Sequence, residues 1–122
     1  MLRSKFLHKF VVALALVSMT ATLVDAECTR GPVGDTRACQ SFGSVTYHET
    51  FRGGSLARVA IVGDGSTDLD IFIYDPQGRL VAQGIGPTDI EVVSWVPPQT
   101  QTYRIVVRNL GGLANRYSLA TN

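Results

Sequence analysis

Asp64, Ser66, Asp68 and Asp70 bring oxygen-bearing side chains together in one short stretch of this chain. Carboxylates clustered on a loop are how proteins hold Ca²⁺, a hard cation that takes roughly six to eight oxygen ligands. In an extended strand Asp68 and Asp70 point to the same face. Asp64, Asp68 and Asp70 are therefore the candidate metal ligands, with Ca²⁺ as the ion. The order of residues is not that of an EF-hand loop, and no Glu closes it. The same carboxylates also have a structural use, because Asp in a turn commonly accepts from nearby backbone N–H groups.

Other chemistry is thinly supplied. After residue 26 the only histidine is His48, in the middle of an alternating run. Hydrolysis by a serine needs nucleophile, imidazole and carboxylate in mutual reach, and none of Ser41, Ser44 or Ser55 sits in a Gly-x-Ser-x-Gly elbow. The expectation is a protein that is not an enzyme. Phe72, Tyr74 and Trp95 fall out of step with the clearest core positions. They are candidate ligand-binding aromatics, since flat rings supply large contact area at low entropic cost. The alternative is that a neighbouring element covers them.

The elements that must position these groups begin after a leader. Arg3, Lys5 and Lys9 precede the apolar run Phe10–Val17, and Val24-Asp25-Ala26 offers small or short side chains where a signal peptidase cuts. An apolar run of eight is too short to cross a bilayer, which needs about 20 helical residues. Residues 1–26 read as a signal peptide and the product as secreted or periplasmic. The remainder carries eight arginines, no lysine and nine carboxylates, a net charge of −1. That balance argues against nucleic acid, whose phosphates call for a basic face, and against docking on anionic lipid.

Cys28 and Cys39 then lie in an oxidising compartment, an even count that favours a disulfide. Gly31, Pro32 and Gly34 let the intervening chain turn back. A metal or redox pair would need closer spacing or further ligands. Residues 27–43 are expected to be a disulfide-looped segment, and 44–122 a single domain.

From Ser44 the chain switches between period-two runs and Gly, Pro or Asp turns, with no helical spacing. Leu69, Ile71 and Ile73 alternate with Asp70, Phe72 and Tyr74. Asp75-Pro76-Gln77-Gly78 is a turn with Pro where its fixed φ suits type I or II geometry, so the next run, Arg79–Gln83, closes a hairpin. Tyr103, Ile105 and Val107 are predicted to face inward. Arg104, Arg108 and Arg116 read as a charged edge that discourages strand addition. About seven to eight strands with regular turn signals indicate an all-β, antiparallel, jelly-roll-like sandwich.

Particular residues sharpen that reading. Gly53-Gly54-Ser55-Leu56-Ala57, Val62–Asp70, Tyr74-Asp75 with Gly78, Tyr103 with Val107-Arg108-Asn109, and Asn115-Arg116-Tyr117-Ser118-Leu119 resemble the bacterial pre-peptidase C-terminal domain. The resemblance runs from about Ser44 to Asn122. It implies a jelly-roll-like sandwich, related to the collagen-binding domains of some collagenases and usually appended to secreted peptidases. It also implies a non-catalytic role, with some relatives binding calcium or extracellular polymers. The loop Gln83–Asp89, often acidic in that family, has one carboxylate here. The expected function is recognition of an extracellular protein or polysaccharide, aided by Ca²⁺. A structural domain of the cell envelope without a dedicated ligand is the alternative.

Overall fold

A computed structural model of the chain describes residues 27–122; the signal-peptide reading of residues 1–26 lies outside the described residues. Eight strands follow in order: β1 (Gly34–Cys39), β2 (Ser44–Phe51), β3 (Ala57–Val62), β4 (Leu69–Tyr74), β5 (Leu80–Gly84), β6 (Ile90–Trp95), β7 (Gln101–Asn109) and β8 (Asn115–Thr121). They form two four-stranded antiparallel sheets, ordered β1-β8-β3-β6 and β2-β7-β4-β5. The pairs 1 with 8, 2 with 7, 3 with 6 and 4 with 5 are nested, as if one long hairpin had been rolled over on itself. That is a jelly roll, the expected all-β sandwich.

Alternation decides which residues fill the gap between the sheets. Leu69, Ile71 and Ile73 are fully buried, as are Ile105 and Val107, with Tyr103 beside them. In β3 nearly every residue from Ala57 to Ile61 is buried, so this interior strand is covered on both faces. The innermost hairpin is set by its turn. Asp75 Oδ1 accepts from the N–H groups of Gln77 and Arg79, each at 2.9 Å, and Gly78 takes φ +82°, which its lack of a Cβ permits.

Three expectations need correction. The segment 27–43 is not a closed loop, because it contains β1, an edge strand paired along its whole length with β8. Its sequence, GDTRAC, hides this: an edge strand exposed on much of its surface carries no apolar alternation. Cys28 and Cys39 are not bonded either; both are free thiols, buried. Cys28 bridges Phe51 at the end of β2, whereas the Cys39 thiol donates to the Gly43 carbonyl just before β2 begins. Eight residues of strand separate those points, roughly 25 Å, and a disulfide needs Cα atoms within about 7 Å. Finally, Arg104, Arg108 and Arg116 do not guard an edge, since β7 and β8 are interior strands of their sheets.

Candidate functional site

The two thiols are inert in place. Burial pushes both above the ordinary cysteine range, which keeps them protonated. Cys28 faces Glu49, a buried carboxylate answered by the Arg30 guanidinium at 2.8 and 2.5 Å.

The three candidate metal ligands do not stay together. Asp64 is committed to its own loop. Its Oδ1 accepts from the Ser66 N–H at 3.0 Å and its Oδ2 from the Arg116 N–H at 2.9 Å. Hydrogen bonds from Ser66 and then Arg116 hold the carboxyl below the usual range. Asp68 and Asp70 differ. Each has one buried oxygen, Oδ1, with no hydrogen-bond partner, and so does Glu91 at Oε2. Asp70 is only 8% exposed. It pairs in register with Arg108, yet no hydrogen bond joins the two side chains.

Desolvation, and then the charge of Asp68, raise the Asp70 carboxyl; desolvation raises Glu91 too, with Asp70 and Asp68 adding to it. Sequence spacing had no means of finding Glu91, because it comes from β6 in the opposite sheet. Among the described residues no three His, Cys, Asp or Glu side chains converge as they stand on a metal-sized point.

The aromatic candidates also divide. Phe72 and Tyr74 are half-buried on the outer face of the β2-β7-β4-β5 sheet, alternating with the inward Ile71 and Ile73. The Arg104 guanidinium lies 4.2 Å from the Tyr74 ring centroid, a cation–π contact. Register places His48 beside Arg104 and Thr46 beside Val106, next to Phe72. Trp95 is elsewhere. It packs edge-on against Phe51 and Tyr103 at centroid distances of 5.0 and 5.1 Å, in the core. Trp95 also lines a surface groove, and its indole N–H is buried without an acceptor.

No family model and no curated protein matches the chain. Solved structures do. The pre-peptidase C-terminal domain of the collagenase from Bacillus anthracis superposes with a TM-score of 0.60 at 9% identity, covering 74% of this chain and 90% of that domain. The fold is that of a pre-peptidase C-terminal domain. A periplasmic inhibitor of g-type lysozyme from Aeromonas hydrophila is similar as well, with a TM-score of 0.57 and 14% identity over 75% of this chain and 84% of the inhibitor.

Within this pre-peptidase C-terminal fold, the residues that carried the sequence resemblance are largely fasteners. Asn115, fully buried, donates from Nδ2 to Thr67 O and Asp89 Oδ2, and its Oδ1 accepts from the Asp64 N–H. Asp89 Oδ2 also accepts from the Gly65 N–H at 2.6 Å. Gly63 lies hard against this network, and any Cβ there would collide with the Asp89 and Asn115 side chains. Three separate loops are thus tied at one end of the sandwich.

Proposed function

We propose that this chain is an exported, non-catalytic module that recognises an extracellular protein or polysaccharide. The observation that carries the reading is the outer face of the β2-β7-β4-β5 sheet. Phe72 and Tyr74 stand there half-exposed although the core is filled without them, and Arg104 braces the Tyr74 ring. Aromatic rings and Arg are the residue types that concentrate binding energy at recognition surfaces. The similar fold of a periplasmic lysozyme inhibitor and of a collagenase domain lends support to an exported module.

Calcium assistance belongs to the same reading. The partnerless oxygens of Asp68, Asp70 and Glu91 are the hard anionic donors that Ca²⁺ takes, and the ion would have to draw them together to be shared.

Retention of the protein on gelatin, peptidoglycan and cellulose, each with Ca²⁺ and with chelator, tests both parts. The expected result is retention on one polymer, lowered about tenfold or more by Phe72→Ala with Tyr74→Ala, and strengthened by Ca²⁺ in wild type but not in Asp70→Asn. Equal retention of wild type and the double variant would refute the aromatic face. Identical behaviour with and without chelator would remove the metal.

A further inference from the structure

The outer face of the β1-β8-β3-β6 sheet is the chemical opposite of the face that bears Phe72. Alternation sends Arg58, Ala60 and Val62 of β3 outward, because Ala57, Val59 and Ile61 fill the core. Register then lays the outward residues in rows across the four strands. Gly34, Ala120, Ala60 and Val92 make one row; Thr36, Ser118, Val62 and Ile90 make the next. Neither row contains a charge or an aromatic ring. Their two hydroxyls, Thr36 Oγ1 and Ser118 Oγ, lie 2.9 Å apart and bond to each other. Ala60, Ala120 and Val62 form a hydrophobic cluster of their own, apart from the core. The opposite sheet instead shows solvent His48, Arg104 and Arg108.

This face has relief. It stands tall along β6, where Val92 is 55% and Ile90 59% exposed. It is low toward β8 and β1, where the rows end in alanine, serine, threonine and glycine. A twofold axis along the strands, between β8 and β3, would lay two copies face to face with β6 of each crossing β1 of the other. Val92 then falls over Gly34 and Ile90 over Thr36, so tall side chains meet short ones in both halves at once. A twofold across the strands would stack β6 on β6 and leave a gap over β1.

The same axis matches charge. Arg116 and Asp64, both exposed, stand side by side at one end of the face, where Asp64 Oδ2 accepts from the Arg116 N–H at 2.9 Å. Arg116 extends the β8 column and Asp64 the β3 column, the two columns that the axis exchanges. Each Arg116 is thereby set against Asp64 of the other copy.

We propose that this face binds a second copy of the chain, giving a twofold dimer by sheet-on-sheet packing. Flat sheets stack about 10 Å apart with interdigitating side chains, as the two sheets of this sandwich already do. Four strands about 4.8 Å apart, each about six residues long at about 3.3 Å per residue, present roughly 400 Å² per copy. With side-chain relief counted, the pair buries roughly 1,000 Å², the low end for specific interfaces, which suits a weak dimer. A saccharide has no ring to stack on here and no charge to meet, whereas contiguous exposed methyl groups mark a protein contact. The dimer turns both Phe72 faces outward on opposite sides, so one particle could hold two ligand sites at once.

Sedimentation equilibrium of the protein between about 1 and 500 μM tests this, with a monomer–dimer constant of roughly 10–100 μM expected. Val92→Lys and Ile90→Lys, at exposed positions where wild-type thermal midpoints are expected, should each raise that constant about tenfold or more. Arg116→Glu, which opposes two carboxylates, should raise it about threefold. Phe72→Ala should leave it unchanged. Cross-linking checks the geometry. The two native thiols are buried, so a short bis-maleimide should join Val92→Cys to Gly34→Cys in a mixture and neither variant to itself. A monomer throughout, or a dimer indifferent to both lysine variants, overturns the proposal. So does Val92→Cys joining itself, or a dimer lost in Phe72→Ala. None of these outcomes bears on polymer retention by the Phe72 face, which is measured separately.

Discussion

Two neighbouring clusters at one end of this sandwich hold similar residues in opposite states. Around Asn115, a buried amide and the carboxylates of Asp64 and Asp89 have their hydrogen-bonding atoms engaged by backbone or side chain. Around Asp70, three carboxylates from β4, the loop before it and β6 each keep a buried oxygen without a partner. Both regions are acidic, and both are built from loops that meet strand ends. What separates them is completion. A satisfied buried network fixes geometry and asks nothing of the solvent, whereas an unsatisfied buried group costs about 1–3 kcal/mol until something supplies the missing bond. Function is therefore to be sought in the second kind of region, and stability in the first.

The largest effect should come from the completed cluster. Asn115→Ala removes the hub and strands Asp89 and the Asp64 N–H, so a loss of about 3 kcal/mol is expected in urea denaturation. A loss under about 0.5 kcal/mol would erase the contrast between the regions. Next in size is Asp70→Asn, with the opposite sign. Neutralising a buried carboxylate that lacks a partner and faces Asp68 should stabilise the calcium-free protein by about 1 kcal/mol, read from the same midpoints. Destabilisation would show that Asp70 is answered after all.

A smaller effect concerns acid. Hydrogen bonds from Ser66 and Arg116 depress the Asp64 carboxyl, and the Arg79 N–H depresses Asp75. A group whose folded pKa is lowered stabilises above its unfolded value of about 3.9, and that contribution is lost as pH falls through the folded value. Thermal midpoints should thus decline below about pH 4, with a shallower decline in Asp64→Asn; a parallel decline would exclude Asp64 from the acid response. The smallest is no effect at all. Thiol titration of the unfolded protein should find both cysteines reactive, and a reductant should leave the thermal midpoint in place. A midpoint that drops under reductant would restore the disulfide.

Much of the architecture was legible because it depends on alternation, a property of neighbouring residues. Leu69, Ile71 and Ile73, or Tyr103, Ile105 and Val107, announce an inward face whatever they pair with. β1 was not legible, because an exposed edge strand buries too little to leave a pattern. The cysteine spacing suggested a short loop, yet β1 runs straight and carries Cys39 to the far end of β2. At the site, Asp70, Phe72 and Tyr74 share one parity within β4, which Asp68 just before the strand continues. Glu91 and the Trp95 groove escaped notice because they arise where two edges from different sheets come side by side. The Asn-Arg-Tyr segment reads as a signature in the sequence, whereas the role of Asn115 as a knot for three loops depends on partners far away in the chain, Asp64, Thr67 and Asp89.

The nested pairing has a consequence for biogenesis. Only the β4–β5 hairpin joins strands that are close in the chain; each outer pair, ending with β1 on β8, must close a longer loop before contact rewards it. Non-local closure of this kind is slow. Among the described strands β1 has no partner until β8 has appeared, so the β1-β8-β3-β6 sheet stays incomplete while β8 is still to come. The moment at which the fold can lock is thus written into the order in which its strands find one another.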